Sequence, residues 1–490
     1  MSTLRLPPAA SRPQQRRQQP VALDHVAAGR GQLIAVACAI ACGVLVAAAW
    51  LPAGAELEIT PDSFEYQAIA ENLSSGRGFR NEVGELAVNR SPLYPAVLAL
   101  LFHSDSSILQ SRIAALHRCL AFVIGFSLFL YGRTTFGGLG SLCATLACIL
   151  ISADDELSYA AVQVLTELPA TAFLCLSLLA IRWTSQGSPR REFLMALLQI
   201  GLFMTRSALV FCGVSYGIYL VCGFFRARSA ESLQRVALFG IPCALCVCVW
   251  SLFLWAQTGQ VILLTSTGLS NMAAGLSPKV VAESCRWKVP RTDRELEDFW
   301  TAAPPVSTEV AVAAVRHAAE DPVETLRLIA AKFKMAFHRT PLGVFYLGVC
   351  GVALQLSSHL RESTSASCSR TRQVAGQCGY WLAFCICSLA LCGFSLTALK
   401  VGAVVAAIAI VMCRVSPMGV PYESRDRSDF VPPAVIMVYG GFVLMTLISF
   451  GLPRFTRPFL PAIYLSATLS LPLACRIWNR ELRPLNCGAH

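Results

Sequence analysis

From Leu33 to Leu51 the chain runs without a single charged side chain, a stretch long enough to cross the roughly 30 Å hydrocarbon core of a bilayer as a helix. Further apolar stretches fall near 113–131, 138–152, 168–181, 193–204, 208–225, 236–256, 335–356, 376–396, 401–413, 433–452 and 457–475. Backbone polar groups in lipid must be satisfied within the segment, so these stretches predict helices and the fold class is all-α. With the first span they make a polytopic membrane bundle of about twelve transmembrane helices, its loops carrying amphipathic helices. A 55% share of hydrophobic residues, 14% charged residues and a mean hydropathy of +0.57 exclude an ordinary soluble domain.

Charge orients the spans. Residues 1–30 are rich in Gln, Pro and Arg and read as a disordered cytoplasmic tail; 31–475 form the membrane domain, and 476–490 a second cytoplasmic tail. A cleaved leader competes for the first stretch, but its length favours an uncleaved span. Arg133, Arg182, Arg190, Arg191, Arg226, Arg228, Arg235, Arg361, Arg414 and Arg476 then fall in short connections on the tail's side, as the positive-inside rule requires. The opposite side receives a first loop at 52–111, an acidic turn at 153–166, a long loop at 257–332 and a turn at 453–456. Within the long loop, Val306–Lys334 has the apolar spacing of a helix lying on the membrane surface. A formal charge of +11 spread in ones to threes between apolar runs orients helices and does not suit nucleic acid. Most of the 21 Cys residues lie inside apolar stretches, where a thiol acts as a small hydrophobe, and the CxC pairs at Cys246 and Cys385 lack zinc spacing.

The first loop concentrates polar chemistry. Asp62 precedes Phe64, Ala68, Ile69 and Leu73 at helical spacing, so it stands at a helix start, either as a cap or as a general base at the membrane surface. Tyr66 and Tyr94 flank this acid and the Pro-rich turn after Arg90, and are candidates for substrate contact. Asp154, Asp155 and Glu156 form either a solvated turn or a second acidic centre, for which Asp155 stands as the candidate. Glu167 begins an apolar run, where an ionised group is costly unless it faces a wet cavity or a partner. Arg206 interrupts a long apolar stretch, either as a turn between short helices or as a cation for an anionic substrate. Arg454 and Arg457, beside prolines on the side where Arg is disfavoured, suit bidentate contact with a phosphate, and Arg90 completes such a set. No nucleotide loop, HExxH or nucleophile elbow is present. The residues thus name no cofactor and neither require nor exclude a divalent metal.

In order, PDSFEYQAIAENLSSGRGF, RSPLYPAVLALLF, LTELPATAFL, LFMTRSALVF, WSLFLWAQTGQVILLTSTGLSNMAAG and PRFTRPFLPAIYL resemble the GT-C membrane glycosyltransferases, in their mannosyltransferase and aminoarabinosyltransferase-like branch. The resemblance implies an inverting transfer of a sugar from a polyprenyl-phosphate-linked donor to an envelope lipid, glycan or protein at the extracytoplasmic face. It puts Asp62 on the family's first-loop acid, Arg90 on the basic position before the Pro-rich turn, and Arg454 on the basic residue of a late motif. The chain departs in carrying Ser91 where many relatives have a second proline, and three adjacent acids where one is expected. A secondary transporter or flippase is the competing class, although no internal repeat is visible. A non-catalytic envelope scaffold is the third.

Overall fold

The computed structural model describes residues 21–183, 189–301, 306–336, 434, 436–448, 457–466 and 468. The expected spans at 376–396 and 401–413 lie outside the described residues, as does nearly all of 335–356. The described chain is helical and contains no strand, only two isolated bridges, Glu58 to Gln163 and Arg80 to Leu86.

Among the described residues four helical stretches are long and apolar enough to cross a membrane: Gly31–Trp50, Ser106–Thr135, Ser207–Ala227 and Ala230–Thr258. The pair Gly137–Ser152 and Asp155–Val162 passes the same test only when taken together, and is bent by 66° at its break. These helices mark a membrane protein; the expectation of about twelve spans counts in addition two short helices and stretches beyond the described residues. The first span ends helix α1 (Val21–Trp50). The second and the start of the bent pair belong to α4 (Ser106–Ser152), which reverses at Gly137, where φ of 67° and ψ of −140° suit only glycine. Helix α5 (Asp155–Val162) follows. The two short helices are α6 (Glu167–Trp183) and α7 (Pro189–Thr205). At 17 residues each they reach about 26 Å, less than a full hydrocarbon core. Helix α6 needs no lipid-facing length, because Ala170, Leu174, Cys175 and Leu178 are buried among its neighbours. Helices α8 (Val210–Ala227) and α9 (Ala230–Thr258) follow, and α9 packs on α7 and α8.

Helices α1 and α4 touch backbone to backbone. A Cβ at Gly43 would lie 2.6 Å from the Phe122 ring, and one at Gly125 would lie 2.6 Å from the Cys42 carbonyl oxygen. Small residues at such crossings let dispersion and weak polar contacts hold helices that lipid does not drive together. Since a backbone oxygen cannot swing away, Gly125→Ala is expected to lower stability by about 1–3 kcal/mol, read as a fall in the thermal unfolding midpoint of the purified protein. Trp50 fixes the upper end of the pair by donating from Nε1 to the Ile151 carbonyl at 2.8 Å, and Arg118 donates to the Leu51 carbonyl at 3.1 Å.

The segments before α4, between α7 and α8 and after α9 are joined by hydrogen bonds. Ser207 N donates to Ser91 Oγ at 3.1 Å, Ser266 N to the Val88 carbonyl at 2.9 Å, and Thr267 Oγ1 to the Asn89 carbonyl at 2.9 Å. The segments 259–301 and 306–336 contain α10 (Ser266–Leu276), α11 (Pro278–Ser284), α12 (Asp293–Thr301), α13 (Thr308–Glu320) and α14 (Pro322–Ala336). The expected single surface helix over 306–334 is thus two, because Pro322 lacks the N–H that an uninterrupted helix needs and instead opens α14. Further along the chain, α15 (Gly441–Ile448) packs on α8 and α14.

Candidate functional site

Helix α2 (Pro61–Ser74) carries the first-loop acid. Its start is specified locally: Thr60 Oγ1 accepts from Ser63 N at 3.2 Å, and Pro61 supplies a preset φ in the first turn. Thr60 therefore performs the capping that Asp62 was a candidate for, and the Asp62 side chain is engaged elsewhere. After Ser74 the chain turns through Gly76 and Gly78, both at positive φ, and Asn72 Nδ2 clamps the turn by donating to the Arg80 and Asn81 carbonyls at 2.9 and 2.8 Å. The buried face of α2 carries Ser63, Tyr66, Ile69, Ala70 and Asn72. Phe64, expected on that face, is 61% exposed, because the contacts of Tyr66 and Asn72 turn the helix the other way.

Arg90 meets this face. Its Nη2 lies 2.6 Å from Asp62 Oδ1, its Nε donates to Glu65 Oε2 at 2.7 Å, and its guanidinium stands 5.0 Å from the Tyr66 ring centroid. Asn89 Nδ2 donates to the other Glu65 oxygen at 2.6 Å. Burial works against the Arg90 charge, but Tyr66, Asp62 and Glu65 more than offset it and hold the guanidinium above its ordinary pKa. Asp62 is the more open of the two carboxylates, with 33% of its side chain exposed against 22% for Glu65.

A second pair closes the same place from beneath. Helix α7 ends at Thr205, Arg206 is extended, and a short 3-10 turn (Ser207–Leu209) leads into α8, the tight turn expected from the sequence. Arg206 Nη1 contacts Glu167 Oε1 at 2.9 Å and Thr166 Oγ1 at 3.1 Å, with only 11% and 4% of the Arg206 and Glu167 side chains exposed. Among the described residues Glu167 Oε2 is buried and has no hydrogen-bond partner. Both pairs act on one phenol: burial raises the Tyr66 pKa, Glu167 and Asp62 add to the rise, and Arg90 and Arg206 oppose it. Tyr66 packs edge-on against Tyr94, whose ring centroid is 5.5 Å away and whose pKa burial also raises. Both hydroxyls therefore remain protonated donors. The Tyr94 hydroxyl lies 2.9 Å from His117 Nε2, and His117 Nδ1 lies 2.8 Å from the Ala161 carbonyl. A carbonyl only accepts, so Nδ1 carries the proton, Nε2 accepts, and Tyr94 donates.

The third acidic centre is split among its members. Asp154 caps α5 by accepting from Leu157 N at 2.9 Å and receives the Tyr464 hydroxyl at 2.6 Å. Glu156 accepts from Arg457 Nη2 at 2.7 Å, and Arg457 also stands over the Tyr159 ring at 5.6 Å. Asp155, the residue singled out from the sequence, is exposed at the first position of α5. Tyr159 donates to Glu58 Oε1 at 3.1 Å. Glu58 and Asp62 are four residues apart, so their backbones are separated by no more than about 14 Å. Arg454 lies outside the described residues.

The sequence-predicted residues Asp62, Tyr66, Arg90, Tyr94, Glu167 and Arg206 thus converge, while Asp155 is exposed on α5 and Arg457 is paired with Glu156. Each described arginine expected to bind phosphate already faces a carboxylate: Arg90 faces Asp62 and Glu65, Arg206 faces Glu167, and Arg457 faces Glu156. Glu65 and His117 were missed. The i, i+3 spacing of Asp62 and Glu65 on one helix was a signal for the first; a lone His inside an apolar stretch gave none. Among the described residues no group of three or more His, Cys, Asp or Glu is placed to hold a metal ion. Comparison with family models, curated proteins and solved structures finds no match to this chain.

Proposed function

We propose that this chain is a membrane glycosyltransferase that moves a sugar from a polyprenyl-phosphate-linked donor to an envelope lipid, glycan or protein at the extracytoplasmic face. The observation that carries the proposal is the convergence of Asp62 with Arg90, and of Glu167 with Arg206, around Tyr66 at the loop end of an apolar bundle. A donor whose tail stays in lipid and whose phosphate lies at the interface needs its chemistry at such an end. Asp62 takes the proton of the acceptor hydroxyl, with Arg90 and Glu65 fixing its position. Glu167 stabilises positive charge developing on the sugar ring, and Arg454 receives the departing phosphate, the other arginines being held by carboxylates.

The test is a reconstituted assay with polyprenyl-phosphate sugars, guided by mass spectrometry of envelope glycolipids and glycans with and without the protein. In that assay Arg454→Ala is expected to raise the donor KM by about ten- to a hundred-fold. Unchanged donor dependence would remove Arg454 from the phosphate site. Orientation is tested separately. Ser75 is exposed at the end of α2. A Ser75→Cys variant is expected to gain label from an impermeant maleimide in intact cells, and gain only after the inner face is opened would reverse the topology.

Transport is the competing reading, and the polar network between helices bears on it. Glu192 lies in the first turn of α7 and Arg235 in the second turn of α9, toward one end of the bundle, whereas transporters gather ionisable groups near the midplane.

A further inference from the structure

The end of the bundle away from Tyr66 holds a second charged centre that the proposed chemistry does not use. The Glu192 side chain is fully buried, and both of its oxygens are occupied. Oε1 accepts from Arg191 Nη2 at 2.5 Å and from Arg235 Nε at 2.9 Å, while Oε2 accepts the Tyr216 hydroxyl at 2.8 Å. Two guanidiniums therefore share one carboxylate, leaving one positive charge in excess between α7, α8 and α9. Arg191 is 4% exposed, but Arg235 keeps 26% of its side chain open. Arg190 in the first turn of α7, Arg226 in the last turn of α8 and Arg228 at the turn from α8 to α9 are exposed, and Arg228 adopts a left-handed φ of 47°. Glu231 is the one further acid in the first turn of α9.

A surplus charge that is half withdrawn from water is costly unless an anion supplies the missing partner. The surroundings say which anion. Phe225 and Leu233 beside the turn are 65% and 52% exposed, and Ile241, Leu245, Val249 and Leu252 continue along α9 at 59–64% exposure. Basic side chains at the mouth of an uncovered apolar track match a molecule with an anionic head and hydrocarbon tails. We propose that Arg235, Arg228 and Arg190 form a binding site for the phosphate of an anionic phospholipid, whose acyl chain lies along α9. The site stands independently of the glycosyltransferase reading.

The test uses the full-length protein in nanodiscs of phosphatidylcholine with a minority of phosphatidylglycerol, followed by mass spectrometry of the lipids that copurify in detergent. Wild type is expected to retain phosphatidylglycerol preferentially. Removal of one guanidinium is expected to lower the preference about fivefold, and removal of two roughly twenty-fold. The informative variants are Arg228→Gln, which is exposed and leaves Glu192 fully paired, and the double variant Arg228→Gln, Arg235→Gln, in which Arg191 still faces Glu192. Arg77→Gln removes an exposed charge at the other end and controls for net charge. Loss of preference in the first two variants and not in the third, with inorganic phosphate failing to displace the lipid, supports the site. Equal retention of both lipids by wild type, an undiminished preference in Arg228→Gln, an equal loss in Arg77→Gln, or full displacement by inorganic phosphate overturns it.

Discussion

Asp62→Asn is expected to lower turnover by roughly 10²- to 10⁴-fold while the donor KM changes little, because the amide keeps the shape of the side chain and loses its proton acceptor. The amide can still receive a hydrogen bond from Arg90, and Glu65 still holds that guanidinium 2.7 Å from its Oε2, so the loop should keep its form. Glu65→Gln serves as the comparison. Glu65 is tied to both Arg90 and Asn89 and is the less exposed carboxylate, so its loss should be felt through misplacement of Arg90, as a smaller fall in turnover. Steady-state kinetics of the two variants with a polyprenyl-phosphate sugar would separate these roles. Wild-type turnover in Asp62→Asn would end the base assignment and leave Asp62 as a structural partner of Arg90.

The second large effect is on folding. Arg206→Ala leaves Glu167 as a buried carboxylate without its cation, and breaking a buried pair from one side costs about 3–5 kcal/mol. With 4% of the Glu167 side chain exposed, little solvent screening softens that cost. Thermal unfolding of the purified protein should show the loss directly. Arg206→Met combined with Glu167→Gln should recover most of it, since neither remaining group is charged. The rescued protein should nonetheless stay inactive if Glu167 stabilises charge on the sugar. Stability of Arg206→Ala equal to wild type would mean that the pair is not formed in solution.

What the sequence made legible was whatever is encoded locally. The end of the first span near Leu51, a helix start at Asp62, a turn at Arg206 and helical spacing over 306–334 all follow from neighbouring residues, and each has its counterpart in the helices. The placement of Asp62, Arg90 and Glu167 at one end was legible too, from the alternation of apolar and polar stretches. The partners of those residues were not. Arg90 meets Glu65 across 25 residues of chain and Arg457 meets Glu156 across 301, distances over which no periodicity reports. Of the apolar residues that marked α2 as amphipathic, Ile69 is buried and Phe64 is exposed, because apolarity alone does not distinguish a protein interior from a surface near lipid. The cap at Thr60 was encoded locally too, but Thr60 and Asp62 both offer a cap oxygen within two residues, and spacing alone does not say which accepts.

The seams between loops bear on how the protein comes into being. Thr267 reaches back across 178 residues to the Asn89 carbonyl, and Ser266 reaches the Val88 carbonyl beside it. During synthesis the segment holding Asp62 and Arg90 is made long before the residues that pin its far side. A ribosome adding 5–20 residues each second needs roughly 10–35 s to cover that interval, during which the early loop has only its own contacts and those of the first helices. Chains arrested before residue 260 should therefore insert α1 and α4 yet leave the 88–91 segment open to protease. Arrest late enough for Ser266 and Thr267 to have cleared the ribosome should close it, making protease resistance at Arg90 a clock for assembly of this end of the protein.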